Sequence, residues 1–300
     1  MAAATLDVNS PSLTKAQVMS DAAFGAIRDA IFDFSGMHFQ THKRFLFAQR
    51  LLPRLAALRL STFEQYAAHL RASEDRAAEL QAAIGLLASP DPFFFSQPSQ
   101  LRALVQAVVP MLVRKGKGTR ERPIQVWSAA CLSGEEPYGI AIMLQEQRAR
   151  TPAIKDAAVK ILASDLSEAT LQKARAGVYN ASAMRSTDPN LAQRYFSREG
   201  GRYILSPEIR ALVEFRQLNL FNEAEIAALP EIDAAFCRNV LIYFTQEARK
   251  RAVAAIFRRL APGGLLFLGE RESLNGVSED FKLAFLPGAM AYVKPQPKES

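Results

Sequence analysis

Residues Trp127 to Ala141 read WSAACLSGEEPYGIA. A run with the composition of a buried strand, ending near Ala129, breaks into small residues. A helical segment then opens with Glu135, Glu136 and Pro137. Strand, tight loop and helix in that order form the opening unit of an α/β sheet. Two carboxylates in a first helical turn complement the helix dipole, and they repel a phosphate. Neither GxGxxG nor GxxxxGK[ST] occurs anywhere in the chain. The loop therefore reads as a ligand site built for something other than phosphate.

Downstream the same grammar repeats. Strands are expected at residues 125–129, 159–163, 213–217, 234–236 and 265–269, with a last one near 289–293, and helices between them. Alternation of this kind predicts a mostly parallel sheet covered by helices. The helix over 246–260 places Val253, Ile256, Phe257 and Leu260 on one face, and Pro262-Gly263-Gly264 stops it. Residues 190–210 break the pattern. There RYFSREGGRYILSP reads as a hairpin about Gly200-Gly201, followed by Ser206 and Pro207 as N-cap and first residue of a helix. This predicts a small β insertion.

Upstream, residues 20–88 read as helices throughout. Phe24, Ile27, Ile31 and Phe34 recur at helical spacing, and Phe45, Leu51, Leu52, Leu55 and Leu58 form a second apolar face. Pro53 is expected to kink or divide that second helix. Ser61 and Glu64 read as a capping box for a third. The organisation predicted is a loose leader over 1–19, an all-helical domain over 20–88, a linker over 89–100, and an α/β domain over 101–295.

Composition narrows the function classes. Three hundred residues suit two compact units. With 49% hydrophobic and 22% charged residues, and no apolar run near the roughly 18 that argue a membrane span, the chain reads as an ordinary globular protein. Its first residues lack the charged-then-apolar order of a signal peptide, which points to the cytoplasm. Cys131 and Cys237 stand far apart without zinc spacing, so reduced thiols and no metal are expected. A formal charge of +7 favours acidic partners. The basic residues are dispersed and no nucleic-acid-binding motif accompanies them, so no nucleic acid is expected.

In open α/β sheets, ligands lie outside the carboxyl ends of the strands. Asp165 ends the second strand in ILASDLS, where an acid of this fold class holds ribose hydroxyls. Asn219 follows the third in QLNLF, and Arg238-Asn239 follow the fourth in FCRNVLIYF. Ser128, Ala129 and Ala130 are small enough for close backbone approach. A ligand with a ribose, an adenine and a cationic amino group but no phosphate matches this set, and S-adenosylmethionine (SAM) has that description. A domain that binds it this way is Rossmann-like.

The segments WSAACLSGEEPYGIAIML, ILASDLSEATLQKARAGVYN, VEFRQLNLF and FCRNVLIYF, in this order and spacing, resemble the chemotaxis-receptor glutamate methyltransferases (CheR-type) over about residues 20–295. The resemblance implies an N-terminal helical domain and a SAM-dependent methyltransferase domain carrying a small β-subdomain. It implies glutamate side chains on the cytoplasmic helices of chemoreceptors as substrate, and S-adenosylhomocysteine (SAH) as product. Carried over by motif, Glu136 and Asp165 are expected cofactor contacts with Glu135 beside them, and Ala129 joins them because its small side chain lets the backbone approach. Asn219-Leu220 and Arg238-Asn239 are expected around the adenine and the methionine end, and Tyr243 beside the transferred methyl group. The alternative for Tyr243 is a core aromatic.

Three departures accompany the resemblance. Family members carry an Asn-x-Thr-x-Phe-Phe-Arg segment over the cofactor, and this chain has Pro90-Asp91-Pro92-Phe93-Phe94-Phe95-Ser96. Ser96 thus stands at the position of a positioning arginine, with Gln97 beside it as a partial replacement. The arginine row that implies docking on receptor helices is thinned to Arg50, Arg54 and Arg59, and the insertion's loop is too short to grip a receptor tail peptide. A catalytically degenerate SAM/SAH-binding regulatory module is the competing expectation. A methyltransferase for RNA or a small molecule is a third, disfavoured by the helical domain and by the absence of an NPPY-like motif.

Overall fold

The computed structural model describes residues 18–88 and 92–297. The expected leader lies outside them except for its last two residues, as do Pro90 and Asp91. The described residues divide into two compact units, one of residues 18–34 and 38–88, the other of 35–37 and 92–297. Among the described residues no helix is long and apolar enough to cross a membrane.

The first unit holds α1 (Asp21–Ser35), α2 (Arg44–Ala57), α3 (Phe63–Ala72) and α4 (Arg76–Leu87). Phe24, Ile27 and Ile31 of α1 and Phe47, Leu51 and Leu55 of α2 are buried, and Phe24 meets Phe47 edge-on at 5.1 Å. Phe45, expected inward, is 63% exposed, because the α2 stripe begins at Phe47. Pro53 does not divide α2: one helix runs from Arg44 to Ala57. The cap of α3 also differs from expectation. Thr62 is the N-cap and Gln65 closes the capping box, while Glu64 accepts the Ser20 hydroxyl at 2.6 Å.

Two of the three arginines expected to present a docking face are engaged within this unit. Glu79 on α4 is 6% exposed, and a buried carboxylate requires a counter-charge and donors. Arg54 supplies the charge, Nε donating to Oε1 at 3.0 Å, and the Tyr66 hydroxyl donates to the same oxygen at 2.6 Å. Arg50 donates to the Leu87 carbonyl at the end of α4. Both guanidiniums therefore hold α4 against its neighbours. Arg59 remains exposed, with its backbone left-handed at φ 56°.

In the second unit, β1 (Ile124–Ala129), β2 (Val159–Asp165), β6 (Val213–Gln217), β7 (Ile232–Cys237) and β8 (Leu260–Leu268) pair in parallel. β9 (Lys282–Leu286) and β10 (Ala289–Val293) add an antiparallel edge, giving the order β6-β2-β1-β7-β8-β10-β9. The strands buried on both faces are near-continuous apolar runs, as parallel strands require; every residue of β7 is buried. The main crossover helices are α7 (Glu135–Arg150), α8 (Glu168–Ala176) and α12 (Gln246–Arg259). The expected hairpin is present as β4 (Phe196–Glu199) and β5 (Arg202–Leu205). A strand the sequence pattern did not disclose, β3 (Val178–Tyr179), pairs with β5 to complete a separate three-stranded sheet. The expected linker ends early, because a helical stretch opens at Pro98 and continues to Arg114.

Candidate functional site

The sheet register builds the site. Ala129, the last residue of β1, lies beside Ser164 of β2 on one side and Cys237 of β7 on the other. Residues 130–134 after β1, Asp165 at the end of β2 and Arg238 after β7 therefore emerge side by side. Strand order reverses at β1, where sequence neighbours run toward β6 on one side and toward β8 on the other. A crevice at such a switch point is where α/β sheets take ligands.

The loop after β1 is wound tightly. Ala130, Leu132 and Gly134 have φ of 54°, 50° and 91°. Side chains tolerate such angles only where other contacts over-determine them. Here the Cys131 N–H donates to the Ser164 carbonyl at 2.9 Å and the Leu132 N–H to Asp165 Oδ2 at 3.0 Å. Gly134 must be glycine: a Cβ there would lie 3.1 Å from both Ala174 and the Tyr138 ring, at that same φ.

Asp165 is 7% exposed. Its Oδ1 accepts the Ser167 N–H at 3.0 Å, its Oδ2 that of Leu132, and an ionised carboxylate has further lone pairs to offer. Burial raises its pKa above the ordinary aspartate value, against the backbone donors Ser167, Leu132 and Leu166, which lower it. Past the strand, the Leu218 N–H bonds the Asp165 carbonyl at 3.0 Å, bringing the QLNLF turn alongside. Within that turn Asn219 Oδ1 accepts the Phe221 N–H at 3.0 Å, the Asn219 N–H donates to Glu225 at 2.7 Å, and Leu220 is buried.

The two acids of the first α7 turn have separate partners. Glu135, 4% exposed, accepts the Ser133 hydroxyl at 2.8 Å. Glu136 accepts the Ser128 hydroxyl at 2.6 Å and forms an ion pair with Arg238 Nε. The acid at this loop is thus matched first by a guanidinium of the protein itself. The Arg238 side chain is 5% exposed. Its Nη1 donates to the Ser96 carbonyl at 3.0 Å and lies 3.2 Å from Gln97 Oε1 and 3.3 Å from Gln100 Oε1. Its Nη2 has no acceptor among the described residues.

The segment bearing Ser96 is pinned by aromatic packing. Phe94 is fully buried, edge-on to Tyr179 at 4.8 Å and to Phe196 at 5.1 Å, and the Tyr179 hydroxyl donates to the Ser133 carbonyl at 2.9 Å. The β-subdomain, this segment and the β1–α7 loop are therefore one packed assembly. Ser96 itself enters the network through its backbone carbonyl.

After β7, Asn239 adopts φ 60° and is exposed. Glu272 accepts the N–H groups of Asn239 at 2.7 Å, Gly269 at 2.9 Å and Ile242 at 3.2 Å. A Cβ on Gly269 would stand 2.4 Å from Asn239 Oδ1, so close approach of the two loops requires glycine. Tyr243 closes the short turn Leu241–Tyr243 that follows and is half-buried. Cys131 and Cys237 are both free and buried, and burial pushes both thiols far above their ordinary range.

Glu136, Arg238 and Ser96 thus meet in one bonded cluster, while Ala129 and Asp165 stand at the adjoining strand ends and Asn219 and Asn239 in the turns that follow β6 and β7. Gln100 and Glu272 are members that motif reading missed. Neither belongs to a recognisable spacing, although Glu272 lies just past a predicted strand end.

The donor set suits SAM. Arg238 Nη2 is a largely buried cationic donor with no acceptor among the described residues, fit for a carboxylate, and Asp165 retains acceptor capacity for hydroxyls. Comparison with known proteins agrees. The family model for the CheR methyltransferase SAM-binding domain matches residues 92–289, and that for the CheR methyltransferase all-alpha domain matches residues 22–87. The chain is 37% identical over 284 residues to chemotaxis protein methyltransferase 2 of Vibrio cholerae, covering 94% of this chain and 96% of that one. It is 32% identical over 266 residues to chemotaxis protein methyltransferase 1 of Pseudomonas aeruginosa, covering 88% and 94%. With the chemotaxis protein methyltransferase of Escherichia coli K12 the identity is 33% over 275 residues, covering 90% and 91%. The chain belongs to the CheR methyltransferase family and is a SAM-dependent methyltransferase.

Proposed function

We propose that the chain is a cytoplasmic enzyme of chemotaxis that methylates glutamate side chains on chemoreceptor helices. The observation that carries this reading is the Arg238 guanidinium, with two nitrogens engaged by the protein and the third free to take an anion. SAM, when bound, supplies an electrophilic methyl group on a positively charged sulfur. A glutamate carboxylate is already ionised near pH 7, so the reaction needs alignment and no general base. Arg238 holds the cofactor's carboxylate, and Asp165 accepts hydrogen bonds from its ribose. Ala129 permits close approach, and the Asn219-Leu220 turn borders the adenine. Glu135 and Glu136 add negative charge near the cationic end, Asn239 flanks it, and Tyr243 orients the acceptor glutamate. Arg59 is the member of the basic row available to an acidic receptor helix.

Tritiated SAM with receptor-containing membranes tests this. Base-labile label on the receptor is the expected result, because carboxyl methyl esters release methanol in alkali; base-stable label or none refutes it. The substitution of Ser96 for an arginine favours a second reading, a SAM/SAH-binding regulatory module, which predicts SAH binding with no transfer to any receptor.

A further inference from the structure

We propose that Gln100, assisted by Gln97, is a positioning residue that aims the free nitrogen of Arg238 at the cofactor's carboxylate; this rests on the reading of Arg238 given above. A guanidinium is planar, so fixing two of its nitrogens fixes the direction of the third. Glu136 fixes Nε, and the cluster of Ser96 O, Gln97 Oε1 and Gln100 Oε1 fixes Nη1. Among the described residues Nη2 is left as the unpartnered nitrogen of a side chain that is 5% exposed.

Gln100 is oriented for this role from its other end. Its Nε2 donates to the Leu268 carbonyl at 2.8 Å, at the end of β8, so its Oε1 must face Arg238. The amide thereby ties Arg238 to the ends of two neighbouring strands. Gln97 reaches the same nitrogen from a left-handed backbone at φ 52°, a conformation that costs a non-glycine residue energy and persists only where contacts hold it. Both side chains are half-buried and on the segment that lost its arginine. Two neutral acceptors here orient Arg238 without cancelling its charge, which a further carboxylate would do.

The test is calorimetric, on the full chain, with two ligands that differ by one group: SAH and S-adenosyl-3-thiopropylamine, which lacks only the carboxylate. Gln100→Met keeps length and packing and removes the amide; Gln97→Met does the same beside it. Each is expected to weaken SAH about threefold to tenfold, in the range of one lost or misdirected hydrogen bond. Affinity for the amine analogue should stay within twofold, which also shows that the variants are folded. Parallel loss of both ligands, or loss of neither, overturns the inference. Arg238→Ala is the control. If it too fails to discriminate the ligands, the assignment of Arg238 falls together with this inference. If it discriminates and the glutamine variants do not, the inference alone falls.

Discussion

The Asp165 carboxylate accepts the Leu132 N–H at 3.0 Å, so the acid at the end of β2 also staples the left-handed loop after β1. Its two proposed duties separate by experiment. Asp165→Ala removes a charge-assisted bond to the ribose, worth about 1.5–3 kcal/mol, and SAH affinity should fall at least about tenfold. It also leaves the Leu132 and Ser167 N–H groups without their acceptor, and the melting temperature should drop as well. Unchanged SAH affinity refutes the assignment.

Burial raises the Asp165 pKa, and this sets a pH dependence. Ribose hydroxyls donate to the ionised form, so SAH affinity is complete above the raised value and is lost as pH falls through it. The loss should begin above the ~3.9 of an ordinary aspartate. The stability linkage has the opposite sign: a raised folded-state value favours folding at acid pH, and that contribution is lost as pH rises through it. SAH titration from pH 7 downward, with Asp165→Asn as the non-titrating reference, checks the first, and thermal unfolding of the two proteins over the same pH range checks the second. A wild type that tracks Asp165→Asn at every pH excludes Asp165 as the titrating group.

In the helical unit, removing Arg54 strands the buried Glu79 carboxylate. With Arg54 partly solvated, the cost of Arg54→Ala should be about 1–3 kcal/mol, below that of a fully buried pair. Urea denaturation of the full chain, followed by a probe in the helical unit, should show an earlier transition, while SAH affinity stays constant. Arg59→Glu should leave both stability and SAH affinity unchanged and weaken association with receptor membranes, more so at low salt. An Arg54→Ala protein as stable as wild type removes the structural role assigned here.

The reach of the sequence follows from which interactions are local. Strand-end acids and amides are legible because each near-continuous apolar run stops where they begin, which is how Asp165 and Arg238 were read as neighbours at strand ends. Their partners are distant in sequence and carry no spacing. Gln100 and Glu136 meet Arg238 across 138 and 102 positions. Arg54 looked like one of a basic row because its buried partner, Glu79, lies 25 residues on and on another helix. Thr62 displaced Ser61 as a cap by a one-residue shift within a run of polar residues. The strand Val178–Tyr179 spans two residues, too short for any periodicity, and only pairing with β5 reveals it.

Glu272 binds three backbone N–H groups from the loops after β7 and β8, and through Asn239 and Ile242 it sets the turn that carries Tyr243. Glu272→Ala should release that turn and lower kcat about tenfold or more, since small misplacement of aligned groups is costly. SAH affinity should change less than kcat. Glu272→Gln keeps one acceptor oxygen and should fall between. A kcat unchanged in Glu272→Ala would mean that the turn's position does not matter to transfer.

Ser96 is expected to limit the rate of transfer. Its carbonyl lies 3.0 Å from Arg238 Nη1, so residue 96 sits at the edge of the cluster proposed to hold the cofactor, while its own side chain is a short hydroxyl. An arginine there reaches further and offers a forked donor that fixes a carboxylate in one orientation. Ser96→Arg should therefore raise single-turnover methyl transfer to receptor membranes while changing SAH affinity less than about threefold, because the contacts of Asp165 and Arg238 are unaltered. Adding Pro90→Asn and Pro92→Thr should raise it further by returning the segment to the family pattern. The arginine also adds a second cation near Arg238, so the gain should be largest at moderate salt, where like charges are screened. A rate that does not rise in either variant would show that serine at this position is neutral. A wild type that already matches arginine-bearing relatives on the same receptor would show the same.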